Sequence, residues 1–215
     1  MTAASKVGGA VRDALVLGIG NVLWADEGFG VRAVEALHSS YALPSSVELL
    51  DGGTQGLNLL EPVVTREAVL VFDAIDFGLL PGSLRMLRDR EVPAWAGTKM
   101  SLHQQSFQEL LAIADLQGRF PPRLTLIGVQ PERLADFGGS LSECVKASLT
   151  QAVELAASEL ARWGFAPSVR QSPAEPLNAA ALSLSAYESG RPAAEAACRI
   201  GDARFLNLRA QQERR

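Results

Sequence analysis

The chain has 215 residues, which suits one domain of ordinary size with an appendage. Its 20 basic and 24 acidic residues give a formal net charge of −4, without the basic excess of a protein that holds a nucleic-acid backbone, so nucleic acid is a poor candidate partner. No apolar run reaches the length of a membrane span, and the first one is too short for a signal-peptide core, so we expect a cytoplasmic protein with no membrane insertion.

Strand-like and helix-like segments alternate along the chain, which is typical of βαβ units that feed a mostly parallel sheet. The predicted strands cover residues 14–18, 47–51, 68–73, 83–87 and 124–129. The predicted helices cover residues 28–40, 57–64, a segment that begins at Ser101, and 141–163. Segment 83–87 alternates polar and apolar residues, which favours an antiparallel edge strand with one solvent-exposed face. The predicted fold class is therefore α/β.

The turn after the first strand begins like a nucleotide-binding loop. Gly18-Ile19-Gly20 follows an apolar strand, as in the loop whose glycines let a backbone approach a pyrophosphate. Leu23 stands where the third glycine belongs, and Asp26 and Glu27 bring negative charge to a helix N-terminus that would otherwise attract an anion. A nucleotide-binding regulatory module that uses this turn and Asp51 is the alternative interpretation.

Three acids and a histidine fall where the strands of the predicted sheet end or where helices begin. The functional crevice of an open α/β sheet lies at the carboxyl ends of its strands. The four residues there are Glu27, Asp51, Asp73 and His103. Because carboxylates and an imidazole suit a divalent transition metal, the set predicts a metal site at this edge. The positive end of its helix disfavours the imidazolium form of His103 and keeps a lone pair available.

Structural roles compete with this interpretation. Asp26 is a good candidate for the N-cap of its helix, Glu27 could be a partner of the helix dipole, and Asp51 could be a turn residue before two glycines. Asp73 resists a purely structural interpretation, because an uncompensated acid at the end of an apolar strand is costly to bury. His38 lies near a helix C-terminus, where we expect a solvated dipole partner and not a ligand.

Five segments carry a resemblance to a known family. They are, in chain order, GIGNVLWADEGFGVRAVEAL, LLDGGTQGLNLL, VFDAIDFGLLPGSL, KMSLHQQSFQELL and LTLIGVQPERL. They resemble successive motifs of the hydrogenase maturation endopeptidases, and the match spans residues 15–163. Those enzymes remove a C-terminal peptide from the large-subunit precursor of nickel–iron hydrogenases once the metal centre is loaded. The resemblance implies a three-layer fold with a twisted five-stranded, mostly parallel sheet flanked by helices.

The resemblance also implies roles for the four residues. Glu27, Asp73 and His103 match the family's metal-contacting residues, and the implied metal is nickel, supplied by the substrate's own metal centre. Asp51 matches a further acid of the cleft that contacts substrate or polarises water, so Asp51 and Asp73 are the candidate catalytic residues. Whether nickel or a carboxylate activates the attacking water stays open. The chain has no G-x-S-x-G or H-E-x-x-H motif, so neither a serine nor a zincin mechanism is indicated.

The composition changes after Gly164 to an Ala-, Ser- and Arg-rich stretch broken by prolines. We expect residues 1–13 to be a leader segment, 14–164 the peptidase domain, and 165–215 a partly helical or flexible extension with short helices at 177–187 and 192–200. The extension looks like that of family members serving membrane-bound uptake hydrogenases. We expect it to dock on the body or on the hydrogenase large-subunit precursor, the expected partner of a monomeric enzyme.

Overall fold

The computed structural model describes residues 13–94, 102–134 and 136–191, and of residues 102–104 it describes the backbone alone. The strands are β1 (Ala14–Ile19), β2 (Tyr41–Ala42), β3 (Val47–Gly53), β4 (Ala68–Ala74), β5 (Leu84–Arg88), β6 (Arg123–Val129) and β7 (Ser168–Val169). The α-helices are α1 (Phe29–Ser40), α2 (Leu60–Val64), α3 (Glu91–Ala94), α4 (Leu102–Leu116), α5 (Glu143–Arg162) and α6 (Leu184–Gly190). Short 3₁₀ helices cover Ala25–Gly28, Gly56–Leu59 and Ala180–Leu182.

Five of the strands form one sheet in the order β3-β1-β4-β6-β5. The strands β3, β1, β4 and β6 run parallel to one another, and β5 pairs antiparallel with β6 at one edge. The α/β class and the antiparallel edge strand are therefore confirmed. In β5, Leu84 and Met86 pack against the cluster under α1 and α5, whereas Arg85 between them is exposed, as the alternation predicts. Leu87, on the same face as Arg85, is buried in the cluster under α2 and α4, so only part of that face is in solvent.

Two apolar layers hold the sheet between helices. Val16, Leu70 and Phe72 lie in the cluster that packs under α1 and α5, which we call the α1-side core. Their neighbours along the same strands, which include Leu17 and Val71, lie in the second cluster under α2 and α4. Alternate residues of a strand point to opposite faces, so nearly continuous apolar runs fill both layers. The predicted three-layer architecture follows from these runs.

The described part of the C-terminal extension folds back on the body. Strand β7 pairs with β2, and the Arg170 side chain donates hydrogen bonds to the carbonyl oxygens of His38 (3.0 Å) and Tyr41 (3.1 Å). Phe165 is only 5% exposed and belongs to the α1-side core, so the core reaches past Gly164, where the predicted domain ends. These contacts agree with the expectation that the extension docks on the body.

The helices expected in the extension are found in part. The helix predicted over residues 177–187 is observed later, as α6, after a 3₁₀ turn. The helix predicted over residues 192–200 lies outside the described residues. Among the helices that the structure describes, none is long and apolar enough to cross a membrane.

Candidate functional site

The glycines after β1 allow the backbone to pack closely upon itself. Gly20 has a φ of +136°, and a Cβ atom built on it would lie 1.8 Å from the carbonyl oxygen of Glu27. A Cβ on Gly30 would lie 2.1 Å from the carbonyl oxygen of Ile19 and 2.3 Å from that of Phe72. The start of α1 therefore rests directly on the ends of β1 and β4. These contacts explain the glycines by packing inside the protein, without a bound phosphate.

Glu27 is held at the carboxyl edge of the sheet by its backbone. Its N–H donates to the carbonyl oxygen of Trp24 (3.0 Å), and its own carbonyl oxygen accepts from the N–H of Asn21 (3.2 Å). The 3₁₀ helix that contains Glu27 packs against β4, the strand that carries Asp73. Glu27 is half-buried, and Asp73 is only 2% exposed. Two of the predicted ligands are thus on neighbouring elements at one edge.

Asp26 does not cap its own helix, so the N-cap interpretation is wrong. Its Oδ2 atom accepts hydrogen bonds from the backbone N–H groups of Glu132 (2.9 Å) and Arg133 (2.8 Å) and from the Ser142 hydroxyl (3.0 Å). Its Oδ1 atom accepts from the Ser142 N–H at 2.6 Å. The buried carboxylate therefore ties the segment before α1 to the loop between β6 and α5, and in doing so it fixes the neighbouring Glu27.

Asp73 and the start of α4 lie at the same edge. Asp73 belongs to the sheet face that α4 covers, and its Oδ1 atom accepts a hydrogen bond from the Ala74 N–H at 2.8 Å. Helix α4 leads back to the start of β6, so its first turn lies at the carboxyl edge. A Cβ built on Gly56, at the start of the 3₁₀ helix after β3, would lie 3.2 Å from the Ser106 Cβ in the second turn. The backbone of His103 is part of that first turn.

The complete ligand set stays a prediction. No group of three His, Cys, Asp or Glu side chains is gathered among the residues that the structure describes. The imidazole of His103 lies outside them. What the structure supplies is the position of the backbone that carries His103, next to the edge at which Glu27 and Asp73 lie.

Asp51 occupies the other face of the sheet. Gly18 of β1 pairs with Asp51 on one side and with Phe72 on the other, so Asp51 shares the α1 face with Phe72. Its Oδ1 atom accepts a hydrogen bond from the Gly53 N–H at 3.0 Å. Its Oδ2 atom accepts from the side-chain amide of Asn178, in the extension, at 2.8 Å. Sequence reasoning missed Asn178, because no local pattern links a residue of the tail to the end of a strand 127 positions earlier.

A buried arginine anchors the extension near this point. The Arg32 side chain, 3% exposed, donates to Glu35 Oε2 at 2.8 Å and to the carbonyl oxygen of Leu182. Its guanidinium group lies 5.8 Å from the centre of the Tyr187 ring. Next to Tyr187 in α6, Glu188 lies 2.7 Å from Lys146 of α5, and their hydrogen bond lowers the pKa of Glu188 and raises that of Lys146.

Large apolar side chains are exposed in the loops at this edge. They form what we call the apolar rim, which consists of Leu23, Leu79, Leu80 and Phe137. Leu80 is 81% exposed, and the ring of Phe137 packs edge-on against that of Trp24 at a centroid distance of 5.3 Å. Large apolar side chains exposed on the same part of a surface are typical of a site that contacts another protein.

Comparisons with known proteins agree on one family. A family model described as hydrogenase maturation protease (HycI) matches residues 31–159. The hydrogenase expression/formation protein HoxM of Azotobacter vinelandii is 54% identical over 193 residues, which cover 89% of this chain and 93% of HoxM. The hydrogenase 2 maturation protease of Escherichia coli K12 is 44% identical over 151 residues, which cover 70% of this chain and 92% of that protein. The solved structure of the E. coli hydrogenase maturating endopeptidase HybD aligns with a TM-score of 0.70 at 42% identity, and 74% of this chain covers 98% of HybD.

Proposed function

The chain belongs to the hydrogenase maturation protease family, and we propose that Glu27, Asp73 and His103 at the carboxyl edge of its sheet contact the nickel centre of its substrate. As a member, it is an endopeptidase that removes the C-terminal peptide of a hydrogenase large-subunit precursor. The observation that carries the proposed site is the packing of the Glu27 3₁₀ helix against β4, the strand that carries the buried Asp73.

Nickel enters this proposal as part of the substrate. Two carboxylates and an imidazole form an open, oxygen-rich ligand set. For such a set the intrinsic affinity order places copper above nickel, so the free enzyme does not choose nickel by affinity. The precursor brings a metal centre that already contains nickel, and Glu27, Asp73 and His103 recognise its open side. Loading of the precursor thereby becomes the condition for docking.

Docking through the metal centre aligns one peptide bond for attack by water. Holding a scissile bond still against a positioned water molecule contributes several kcal/mol to lowering the barrier. The chain itself supplies acids from both faces of the sheet, since Asp73 lies on the α4 face and Asp51 on the α1 face. In this mechanism Asp73 holds the metal centre, and Asp51 contacts the substrate or polarises the attacking water.

The apolar rim supplies contact area for the precursor. Its four residues lie in the loops after β1, β4 and β6, so they surround the edge at which the acids lie. A precursor that covers the rim removes these side chains from water and excludes solvent from the cleft. We assign the reaction to the cytoplasm and to a monomer. The free thiol of Cys144 is compatible with a reducing compartment.

The direct test is incubation of the purified protein with a nickel-loaded hydrogenase large-subunit precursor, followed by mass measurement of the products. The expected result is a single cut that leaves a shortened large subunit and one C-terminal peptide. An unchanged precursor mass, from an enzyme preparation shown to be folded, would contradict the proposed function.

A further inference from the structure

The side-chain amide of Asn178 bridges two carboxylates. Its nitrogen lies 2.8 Å from Asp51 Oδ2 and 3.0 Å from Glu35 Oε1. Both neighbours are acceptors when ionised, so the amide presents its NH₂ group to them, one N–H to each. A neutral amide is well suited to this place, because it donates twice without adding charge. An aspartate at the same position would instead put three carboxylates together.

The bridge fixes the orientation of Asp51. The Gly53 N–H donates to Oδ1 and the Asn178 amide donates to Oδ2, so each carboxylate oxygen has a donor of its own. Glu35 holds the other N–H of the amide and is itself held by Arg32, which is nearly fully buried. The chain Arg32–Glu35–Asn178–Asp51 thus runs from helix α1 to the end of β3.

Asn178 is held on both sides along the extension. Before it, the carbonyl oxygen of Glu175 lies 2.7 Å from Nε2 of His38. After it, the carbonyl oxygen of Leu182 accepts a hydrogen bond from Arg32. Leu177 packs against the α1-side core. These contacts place the amide with little freedom to move away from Asp51.

We propose that Asn178 is a positioning residue for Asp51, so that the C-terminal extension forms part of the working site. The proposal rests on the proposed function, because it assigns Asn178 to an acid of that site. The match to HoxM covers 89% of this chain and must reach beyond Gly164, whereas HybD is covered by 74% of this chain. HoxM therefore has a counterpart to part of the extension, whereas HybD is a shorter protein than this chain. The extension can thus contribute to the site in the longer relatives.

The test compares variants of the full-length protein on nickel-loaded precursor. Asn178→Ala removes both donors, and we expect kcat to fall about tenfold while KM changes less than about twofold, because the substrate still docks but Asp51 is no longer oriented. Asn178→Asp should be slower still. Asn178→Gln keeps the amide and should recover part of the loss. The matched control is Gln171→Ala, since the amide of Gln171 donates to Val169 in the same extension, and it should keep the wild-type kcat.

A stability measurement separates this coupling from loss of fold. Asn178→Asp should melt at a lower temperature than the wild type, and adding Asp51→Asn to that variant should restore part of the shift, because one of three adjacent carboxylates is removed. If Asn178→Ala proves unfolded, the kinetic comparison is read from Asn178→Gln and Asn178→Asp.

Wild-type kcat in folded Asn178→Ala, or a loss that lies entirely in KM, would overturn the proposal. The proposal would also be overturned if adding Asp51→Asn to the Asn178→Asp variant restored none of its lost melting temperature. Failure of the proposed function looks different, because the wild-type enzyme would then leave the precursor uncut.

Discussion

Asp51 and Asp73 point to opposite faces of the sheet at the same carboxyl edge. Gly18 pairs with both Asp51 and Phe72, and Asp73 is the residue after Phe72, so the two carboxylates leave the sheet in opposite directions. Strand β1 lies between the strands that carry them. This arrangement does not favour two carboxylates that share one proton, as in aspartic proteases. Each acid is therefore expected to act separately.

The proposed metal-contacting residues should be essential for activity but dispensable for folding. Glu27→Ala, Asp73→Ala and His103→Ala should each abolish processing of the precursor and leave a protein with a wild-type circular dichroism spectrum. Glu27→Gln should be nearly as damaging, because an amide has a much weaker affinity for a metal than a carboxylate. Asp51→Asn should slow the reaction by less. Glu154→Ala, on the exposed side of α5, is the matched control. Soluble variants that all process at the wild-type rate would show that the site is misplaced.

Asp26 should act on stability. Its carboxylate accepts four hydrogen bonds in a fully buried place, and an amide at that position would turn an NH₂ group toward donors. We expect Asp26→Asn to lower the free energy of unfolding by about 2–4 kcal/mol. Asp13→Asn removes a carboxylate that lies 3.9 Å from Arg66 on the surface and should cost less than about 0.5 kcal/mol. Urea denaturation measures both, and equal costs would contradict the structural role of Asp26.

Gly30 should not tolerate a side chain. A Cβ there would lie 2.1 Å from one backbone oxygen and 2.3 Å from another, and neither strand end can move freely. We expect Gly30→Ala to cost about 1–3 kcal/mol and to reduce activity, because α1 would lift from β1 and β4 and carry Glu27 with it. Gly190→Ala is the control, since a Cβ built there meets no atom within 4 Å apart from its chain neighbours and its own helix backbone. Thermal melting and a processing assay on both variants test this prediction. A Gly30→Ala variant with the melting temperature and processing rate of the wild type would argue against this packing.

Glu159 should make stability depend on pH far from the site. Burial raises its pKa, but hydrogen bonds from Arg162, Arg88 and Thr125 outweigh this effect and lower the pKa to about 2. Because the pKa is lower in the folded than in the unfolded state, the contribution is fully present above about pH 4.5 and is lost as the pH falls toward 2. It amounts to roughly 3 kcal/mol.

The test of this contribution is Glu159→Gln. The free energy of unfolding of the variant should vary less between pH 5 and pH 2.5 than that of the wild type. The rate of precursor processing at neutral pH should stay unchanged if the variant remains folded. Glu159 accepts hydrogen bonds from Arg88 and from Thr125 near the start of β6, and this end of the strand is opposite the carboxyl edge. Identical pH curves for the two proteins would contradict the assigned cause.

Local patterns are enough to predict the α/β class and the edge of the sheet that carries the acids, whereas the three-layer, five-stranded fold follows from the family resemblance. Apolar runs bounded by turns predicted the strands, and the rule that parallel sheets place function at their carboxyl ends predicted the positions of Glu27 and Asp73. The alternation of polar and apolar residues predicted the antiparallel edge strand β5.

Contacts between distant segments could not be predicted in this way. The place of Asp26 before a helix predicts an N-cap, but its hydrogen-bond partners are 106 to 116 residues away. Asn178 lies in a proline-broken stretch with no continuous apolar face, yet its amide reaches the end of β3. Both cases depend on how the loops meet after folding, and a single sequence carries no periodic signal for such a meeting.

The central claim is that the nickel centre of the precursor, and not a metal held by the free enzyme, permits the cut. The enzyme is stripped with a chelator, the chelator is removed, and nickel-loaded and nickel-free precursors are offered in separate tubes and followed by mass measurement. The account predicts cleavage of the loaded precursor alone, with no change when free nickel is first added to the enzyme. Equal cleavage of both precursors would contradict it.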